Sequence, residues 1–404
     1  MLGTIGVDES HYFIPCLRDI MMMAKEIHPD SKVKEVVEVF REDTSLLVLP
    51  LVVDGTFAGS ISRKNLFFQH LSRKFALDLY SNKPIVDLKD DKPVLMGPDQ
   101  DIAGALTTLM DRDPLLETDC FLIVEGERCV GVVSVSDLMV RISEFQRSLL
   151  DALRSMGARI REEVTHASRI QQDLLPAPKF CFKGIQVGAC ITTSTEIGGD
   201  FYDYFVCGDN RLGLIIADVS GHGVQSGMVT TAAKASLHTL LSLGVATPTE
   251  LLSGMNRAIS ATTRRRLLMT CFIAVIDTEN KRFCYANAGH NFPYVFRGRS
   301  NELEMLQKVS GFPLGFEEET RFHEYSTEFE EGDILVLYTD GIVECRRADE
   351  EEFGYERMER LIRQDLARPP YESAHAMLES TREFSATPTL EDDATVLIAA
   401  YSPG

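Results

Sequence analysis

Four acidic stations in the C-terminal half constrain this chain more than any other feature. They are Asp200 in EIGGDFYD, Asp218 in ADVSGHG, Asp340 in LYTDG, and the pair Asp392 and Asp393 in LEDDAT. Each flanks an apolar, strand-like run, such as LGLIIA before Asp218, ILVLY before Asp340 and VLIAA after Asp393. A strand end holds a carboxylate rigidly, and several strand ends can converge on one point. Carboxylates brought together repel one another unless a cation lies between them. Hard oxygen donors without an accompanying Cys or His cluster suit Mg or Mn rather than Zn. The residues by themselves therefore predict a Mg/Mn carboxylate site on a β scaffold.

The whole chain narrows the setting. Its 404 residues leave room for two or three domains. A formal net charge of −20 argues against nucleic acid, whose affinity comes largely from Lys and Arg meeting phosphates, and against an anionic membrane surface. Nine cysteines lie scattered with no CxxC pair, as expected of reduced thiols in a cytoplasmic protein. No run reaches the ~18–20 apolar residues of a membrane span. The N-terminus carries Asp8 and Glu9 and no long apolar core, so no signal peptide is expected.

Residues 14–145 contain an internal repeat. LVVDGTFAGSISRKNL (51–66) parallels LIVEGERCVGVVSVSDL (122–138), and each copy reads strand, tight turn, strand, helix start. Helix-like segments precede both hairpins, at 33–42 and 101–112, and LRDIM (17–21) parallels IVDLK (85–89). A lone hairpin with flanking helices cannot bury both faces, whereas two copies packed together can. This pattern resembles a tandem pair of CBS domains, which implies an adenine nucleotide in the cleft between copies and a tendency to dimerise. The strand-end Ser followed three residues later by Asp carries that reading: Ser134 and Asp137 in copy two, Ser62 and Asn65 in copy one. An Asp opening a helix can accept ribose hydroxyls, and the helix N-terminus favours phosphate. Asn65 lacks the charge, so the better site is expected in copy two. The alternative is that Ser134 and Asp137 merely cap the following helix.

Residues 138–175 read as one helix, ended by Pro176-Ala177-Pro178. Leu138, Ile142, Phe145, Leu149, Ala152 and Met156 step by alternating fours and threes, the seam of a coiled coil in a homodimer. The seam then shifts to Ile160, Val164, Ala167, Ile170 and Leu174, a stutter that locally unwinds a supercoil. Beyond it, strand-like runs at 185–190, 212–219, 271–277, 283–289, 293–298, 333–340 and 394–401 accompany helical stretches at about 224–243, 248–262, 355–366 and 371–384. Strands clustered around helix pairs suit an α/β sandwich. Neither a CxxxxxR phosphatase loop nor a GxxxxGK[ST] loop is present.

The motifs IQQDLLP (170–176), EIGGDFYDYF (196–205), ADVSGHG (217–223), NAGHNFPYVF (287–296), PLGF (313–316), YTDGIVE (338–344) and EDDATVL (391–397) stand in one order. In that order they resemble the PPM-type metal-dependent protein phosphatases, SpoIIE-like branch, over about residues 165–402. The resemblance implies a four-layer α-β-β-α sandwich, two Mn2+ or Mg2+ ions and a phosphorylated protein substrate. By resemblance that substrate is a STAS-type anti-sigma-factor antagonist. Carried over residue by residue, Asp218 bridges the ions and the Val219 carbonyl adds a ligand. Asp340 and Asp392 complete one ion, Asp200 holds the other, and Asp393 orients Asp392. Gly221 and Gly223 let the loop pass close to the site. His222 is a candidate general acid. His290 reads as a loop hydrogen-bonding residue and Glu344 as structural. The expected organisation is a mixed α/β (α+β) chain: a tandem CBS domain over 1–137, a coiled-coil linker over 138–175, and a phosphatase domain over 176–404. Two alternatives stay open: a non-catalytic module that binds nucleotide and a partner through an inactive phosphatase fold, and a phosphohydrolase of small molecules.

Overall fold

The computed structural model describes residues 14–364, 368–387 and 389–402. Asp8, Glu9 and the expected end of the 355–366 helix lie outside the described residues. The chain forms two compact units that divide between Gly157 and Ala158, inside a helix.

In the first unit, helix α1 (Val33–Glu42) precedes the antiparallel hairpin of β1 (Val48–Val53) and β2 (Thr56–Ser62). A short helix, α2 (Ala76–Tyr80), closes the first copy. In the second, β3 (Leu95–Met96) lies parallel to β4 (Cys120–Glu125), α3 (Ile102–Arg112) connects them, and β5 (Arg128–Ser134) completes the hairpin. The repeat extends to a defect in the ladder. The register slips between Leu51 and Val52 in one copy and between Ile123 and Val124 in the other, opposite Gly59 and Gly131. The copies differ after the hairpin. Copy one continues into a six-residue π-helical turn, Asn65–His70, whereas copy two runs straight into the 40-residue helix α4 (Val135–Leu174). Leu138, Ile142 and Phe145 of α4 pack on the core of copy two. The apolar seam left open therefore begins at Leu149, not at Leu138.

The second unit opens with β6 (Lys179–Phe182), β7 (Ile185–Thr192), β8 (Phe201–Val206) and β9 (Arg211–Val219), then α5 (Val224–Ser242) and α6 (Pro248–Thr263). Next come β10 (Met269–Asp277), β11 (Arg282–Ala288), β12 (Tyr294–Arg297), β13 (Glu302–Met305), β14 (Glu324–Glu328) and β15 (Ile334–Tyr338). The short α7 (Asp340–Val343), α8 (Gly354–Gln364), α9 (Pro370–Ser385) and β16 (Ala394–Tyr401) complete it. Four of these strands are not anticipated by the sequence. β6, β13 and β14 are half-exposed edge segments, and β8 carries Asp203 within its apolar run.

Two antiparallel sheets result, ordered β14-β11-β10-β9-β8 and β13-β12-β15-β16-β7-β6. Alternation along the strands assigns the layers. Leu214 and Ile216 join Leu337, Leu397 and Phe272 between the sheets, while Ile215 and Ala217 face Val229, Leu237, Leu251 and Ile259 of α5 and α6. Val396 and Ile398 turn the other way, onto Met358, Ile362, Ala374 and Met377 of α8 and α9. This is the α-β-β-α order that the resemblance implies. Among the described residues, no helix is long and apolar enough to cross a membrane.

The outer helix layer fits closely at Gly188, where a Cβ would lie 2.0 Å from the Tyr371 nitrogen at the start of α9. Backbone cannot yield as a side-chain tip can. Gly188→Ala is therefore expected to cost about 2 kcal/mol or more, lowering the melting temperature of the C-terminal unit by about 4–8 °C in a thermal unfolding scan.

Candidate active site

The two sheets bring their acidic strand ends to one edge. Asp218 is the penultimate residue of β9 and pairs in register with Thr270 of β10. Asp200 immediately precedes β8, the neighbour of β9. On the other sheet, Asp340 opens α7 just past β15, and Asp392 and Asp393 precede the adjacent β16. Antiparallel pairing puts the exit of one strand beside the entry of the next, so each sheet delivers its acids at the same end.

Asp200 joins the ends. Its buried carboxylate accepts through Oδ2 from the hydroxyls of Thr339 (2.7 Å) and Thr395 (2.5 Å), both on the opposite sheet's segments. Its other oxygen, Oδ1, is buried with no hydrogen-bond partner among the described residues. Burial and the charge of Asp218 push its pKa well above the ordinary carboxylate range. Burial first, and then the charges of Asp340, Asp392 and Asp393, push Asp218 up to about 7. Asp340 is raised by burial and by Glu344, and Asp392 by burial, Asp340 and Asp393, against an opposing pull from His222.

Asp393 holds Asp392 through its backbone and leaves its side chain for a second task. Its Oδ1 accepts from the Ser194 backbone N–H (2.7 Å) and hydroxyl (3.1 Å), and its Oδ2 accepts from the Gly199 N–H. The carboxylate thus fastens the segment that carries Asp200. It is the Asp393 backbone N–H, not its side chain, that holds Asp392, at 2.8 Å from Oδ1. The Val219 carbonyl faces Gly199, where a Cβ would come within 2.9 Å of it. Gly221 and Gly223 adopt left-handed φ values of 88° and 87°. Gly341 admits a close pass, since a Cβ there would lie 2.0 Å from the Asp393 carbonyl.

His290 is buried in its loop. Its N–H donates to Asn287 Oδ1 (2.7 Å), and its Nδ1 lies 2.8 Å from the Thr270 hydroxyl. Burial pulls its pKa down to about 4, so the ring is neutral near pH 7. Glu344 follows α7, its N–H bonded to the Asp340 carbonyl.

Further residues belong to the site without a role assigned from sequence. Thr339 and Thr395 read as ordinary β-branched strand formers. Gln171, in the last turn of α4, meets the Asp200 segment through both ends of its amide. Its Nε2 donates to the Gly198 carbonyl (2.7 Å) and to Thr230 Oγ1 on α5 (3.1 Å), and its Oε1 accepts from the Gly198 N–H (3.1 Å). Asp203 on β8, also buried, takes Lys234 (3.0 Å) and His238 (2.8 Å) from α5.

The residues fit a divalent cation by their chemistry. They are oxygen donors, mutually repelling and partly buried, with one carboxylate oxygen left without a partner. As they stand, no three His, Cys, Asp or Glu side chains among the described residues close on one point tightly enough to hold an ion.

The first unit holds a separate cleft of about 1000 Å³ lined by both copies of the repeat. Ser62 and Asn65 line it; Ser134 and Asp137 do not. Ser60, Ser62 and Asn65 all donate to Asp90, at 2.9, 3.0 and 2.7 Å, so a carboxylate from the connecting segment supplies the charge that Asn65 lacks. In copy two the Ser134 hydroxyl donates to Asp137 (2.5 Å) and accepts from its N–H (2.9 Å), a local cap at the start of α4. The expectation of a better seat in copy two is therefore not where the cleft opens.

A family model described as Stage II sporulation protein E (SpoIIE) matches residues 208–402, and a CBS domain model matches residues 85–144. The chain is similar to Phosphoserine phosphatase RsbU of Bacillus subtilis (strain 168), 27% identical over 194 residues, covering 48% of this chain and 57% of that protein. It is also similar to Phosphoserine phosphatase RsbP of the same organism, 29% identical over 191 residues and 46% of each. The chain spans about half the length of the curated relatives it matches. Among solved structures, the SiaA-PP2C domain of Pseudomonas aeruginosa shares the fold, with a TM-score of 0.53 at 21% identity over 61% of this chain and 99% of that one. The C-terminal half thus matches the SpoIIE family model, and the N-terminal part matches a CBS domain model.

Proposed function

We infer that the chain is a Mn2+- or Mg2+-dependent protein-serine/threonine phosphatase, regulated by a ligand of its CBS pair. The observation that carries the reading is the convergence of Asp200, Asp218, Asp340 and Asp392 at one sandwich edge, with Asp200 Oδ1 buried and without a partner among the described residues. Asp218, Asp340, Asp392, Asp200 and the Val219 carbonyl would hold the ions. Such ions lower the pKa of water and neutralise phosphoryl oxygens, so no side-chain nucleophile is needed. The protein's own part is positioning. Thr339 and Thr395 fix Asp200, Asp393 fixes the segment leading to it, and the glycine turns bring the Asp218 loop close. RsbU and RsbP carry the name phosphoserine phosphatase, and the resemblance implies a phosphorylated STAS-type anti-sigma-factor antagonist as substrate. A cytoplasmic setting suits nine cysteines that are all free thiols.

Phosphate release from a phosphoserine protein, measured with Mn2+ and with EDTA, tests the reading. Asp218→Asn is expected to lower the Mn2+-dependent rate at least ~100-fold, because the ions are held mainly by this charge. In EDTA the same variant is expected to unfold no lower than the parent, since it removes one of several crowded like charges. Near-normal turnover by the folded variant, or no Mn2+-dependent release by the parent, would sink the assignment.

Regulation is assigned to α4. Its exposed Leu149, Leu153, Met156 and Ile160 form an apolar stripe suited to a homodimeric coiled coil. Its last turn carries Gln171, whose amide grips Gly198 two residues before Asp200. Gln171→Leu keeps the helix and removes that grip. Amide exchange at Gly198 is expected to rise about tenfold or more, as loss of a hydrogen bond worth ~1–1.5 kcal/mol requires. Unchanged protection would make the helix end a passive attachment.

The ligand assigned to the CBS pair is an adenine nucleotide in the cleft at Ser62 and Asn65, with Asp90 toward the ribose and Lys64, Lys89 and Lys92 on the lining toward phosphates. Calorimetry on the full chain with ATP, ADP and AMP is expected to show binding that Asp90→Ala weakens at least ~10-fold and Asp137→Ala changes less than ~2-fold. The opposite ranking would return the seat to copy two.

A further inference from the structure

An approaching phosphoserine carries about two negative charges toward a cluster of carboxylates, in a chain of net charge −20. Ions at the site offset those carboxylates, and a positive patch at the rim would add long-range attraction that the net charge opposes. Three consecutive arginines, Arg264, Arg265 and Arg266, are exposed between α6 and β10. Their guanidinium groups make no ion pair or hydrogen bond among the described residues; some arginines of this unit do meet carboxylates, such as Arg297 with Glu304 and Asp333 and Arg347 with Asp349 and Glu351, and others stand singly, but these three are consecutive. Arg264 and Arg265 also hold left-handed backbones, with φ of 50° and 63°. Gly or Asn adopts that conformation more readily than a long side chain, so local backbone preference does not account for arginine here.

The register places this triplet beside the acidic site. Met269 and Thr270 pair with Val219 and Asp218. One step back, the Leu268 N–H donates to Ser220 Oγ (3.0 Å), and the Ser220 N–H donates to the Leu268 carbonyl (2.9 Å). Arg266 is two residues from Leu268 and Arg264 four, so their Cα atoms lie within about 7 and 14 Å of it along the chain. On the other side of Met269 runs Leu314, joined to it by two backbone hydrogen bonds of 3.0 and 2.8 Å. Leu314 is flanked by Phe312 and Phe316, which stack on each other with centroids 4.8 Å apart while remaining 55% and 44% exposed. Unpaired cations and an exposed aromatic pair thus bracket one short segment, 266–269, that is hydrogen-bonded to the loop following Asp218.

We propose that Arg264, Arg265 and Arg266, with Phe312 and Phe316, form the docking surface for the phosphoprotein substrate, and that the substrate's face around its phosphoserine is acidic with an apolar contact. This rests on the phosphatase reading above. The arginines supply local attraction that the rest of the chain opposes, which favours encounter and register. The aromatic pair supplies rigid apolar area at low entropic cost.

The test uses the full chain with Mn2+ and two phosphoserine peptides, one flanked by Asp, Glu and Leu, the other by Lys, Arg and Leu. The third substrate is p-nitrophenyl phosphate, an ester too small to reach the patch. The parent is expected to show a KM about tenfold lower for the acidic peptide. Replacing Arg264, Arg265 and Arg266 together by Ala should erase that difference by raising KM, leave kcat within about twofold, leave p-nitrophenyl phosphate turnover unchanged, and flatten the dependence on salt. Replacing all three by Lys should retain most of the preference, which separates loss of charge from loss of fold. A preference that survives the Ala substitutions, or an equal loss on p-nitrophenyl phosphate, overturns the proposal. Calorimetry of the acidic peptide in EDTA separates it from the phosphatase reading. Arginine-dependent binding without turnover keeps the docking surface and removes the enzyme, and turnover with arginine-independent binding does the reverse. Arginine-dependent sedimentation with phosphatidylcholine–phosphatidylserine vesicles, with no effect on either peptide, overturns it in favour of a membrane contact.

Discussion

The carboxylate of Asp200 belongs to one sheet and is held by the other. Two hydroxyls, from Thr339 and Thr395, converge on one of its oxygens, and a typical hydrogen bond contributes about 0.5–1.5 kcal/mol. The two threonines are tied to each other as well, the Thr395 N–H donating to Thr339 Oγ1 at 2.9 Å. The two sheets therefore cannot slide at this edge without leaving buried polar groups unsatisfied. That constraint fixes where Asp218 stands relative to Asp340 and Asp392. It also leaves Asp200 Oδ1 buried and without a partner among the described residues, a state that an apolar core would not tolerate and a cation would relieve.

Crowding carboxylates requires backbone to come unusually close to backbone, and the glycines show where. Side chains at Gly199 and Gly341 would strike the carbonyls of Val219 and Asp393. Around this edge the protein uses polar ties rather than apolar packing. Asp393 holds residues 194–199, Gln171 holds Gly198 and Thr230, and Asp203 holds Lys234 and His238 of α5. Every tie ends on a segment that carries, or directly follows, a site carboxylate. Behind the edge the three apolar layers supply the bulk of the stability, because burial of Leu, Ile, Val and Phe scales with area and tolerates no such charge.

The N-terminal unit shows how a repeat diverges while its scaffold stays. Both hairpins carry the same ladder defect opposite a glycine, yet the helix starts differ. In copy two the Ser-x-x-Asp pair closes on itself and starts a 40-residue helix. In copy one Asn stands where copy two has Asp, and Asn65, Ser62 and Ser60 gather Asp90 at the cleft. The motif that looks complete is spent on capping, and the motif that looks degraded lines the open space.

The sequence by itself determined the strand ends at Asp218 and Asp340, the turn glycines after Asp218, the long helix and the repeat. Each of these is a local pattern: a period of two or of 3.6, a Gly that permits positive φ, a Pro that stops a helix. It also placed four carboxylates on a common list, since acids at strand ends need no partner to be noticed. The tertiary structure decided everything that depends on which strand lies beside which. Asp200 meets Thr339 and Thr395 across 139 and 195 positions of chain, and Asp393 meets Gly199 across 194. No periodicity encodes such pairs, because their geometry is set by sheet order and by the packing between sheets. The same holds for Gln171, Asp90 and the Arg264–Arg266 turn. Each is ordinary in its own stretch of sequence and acquires meaning from a neighbour that the fold, not the chain, supplies.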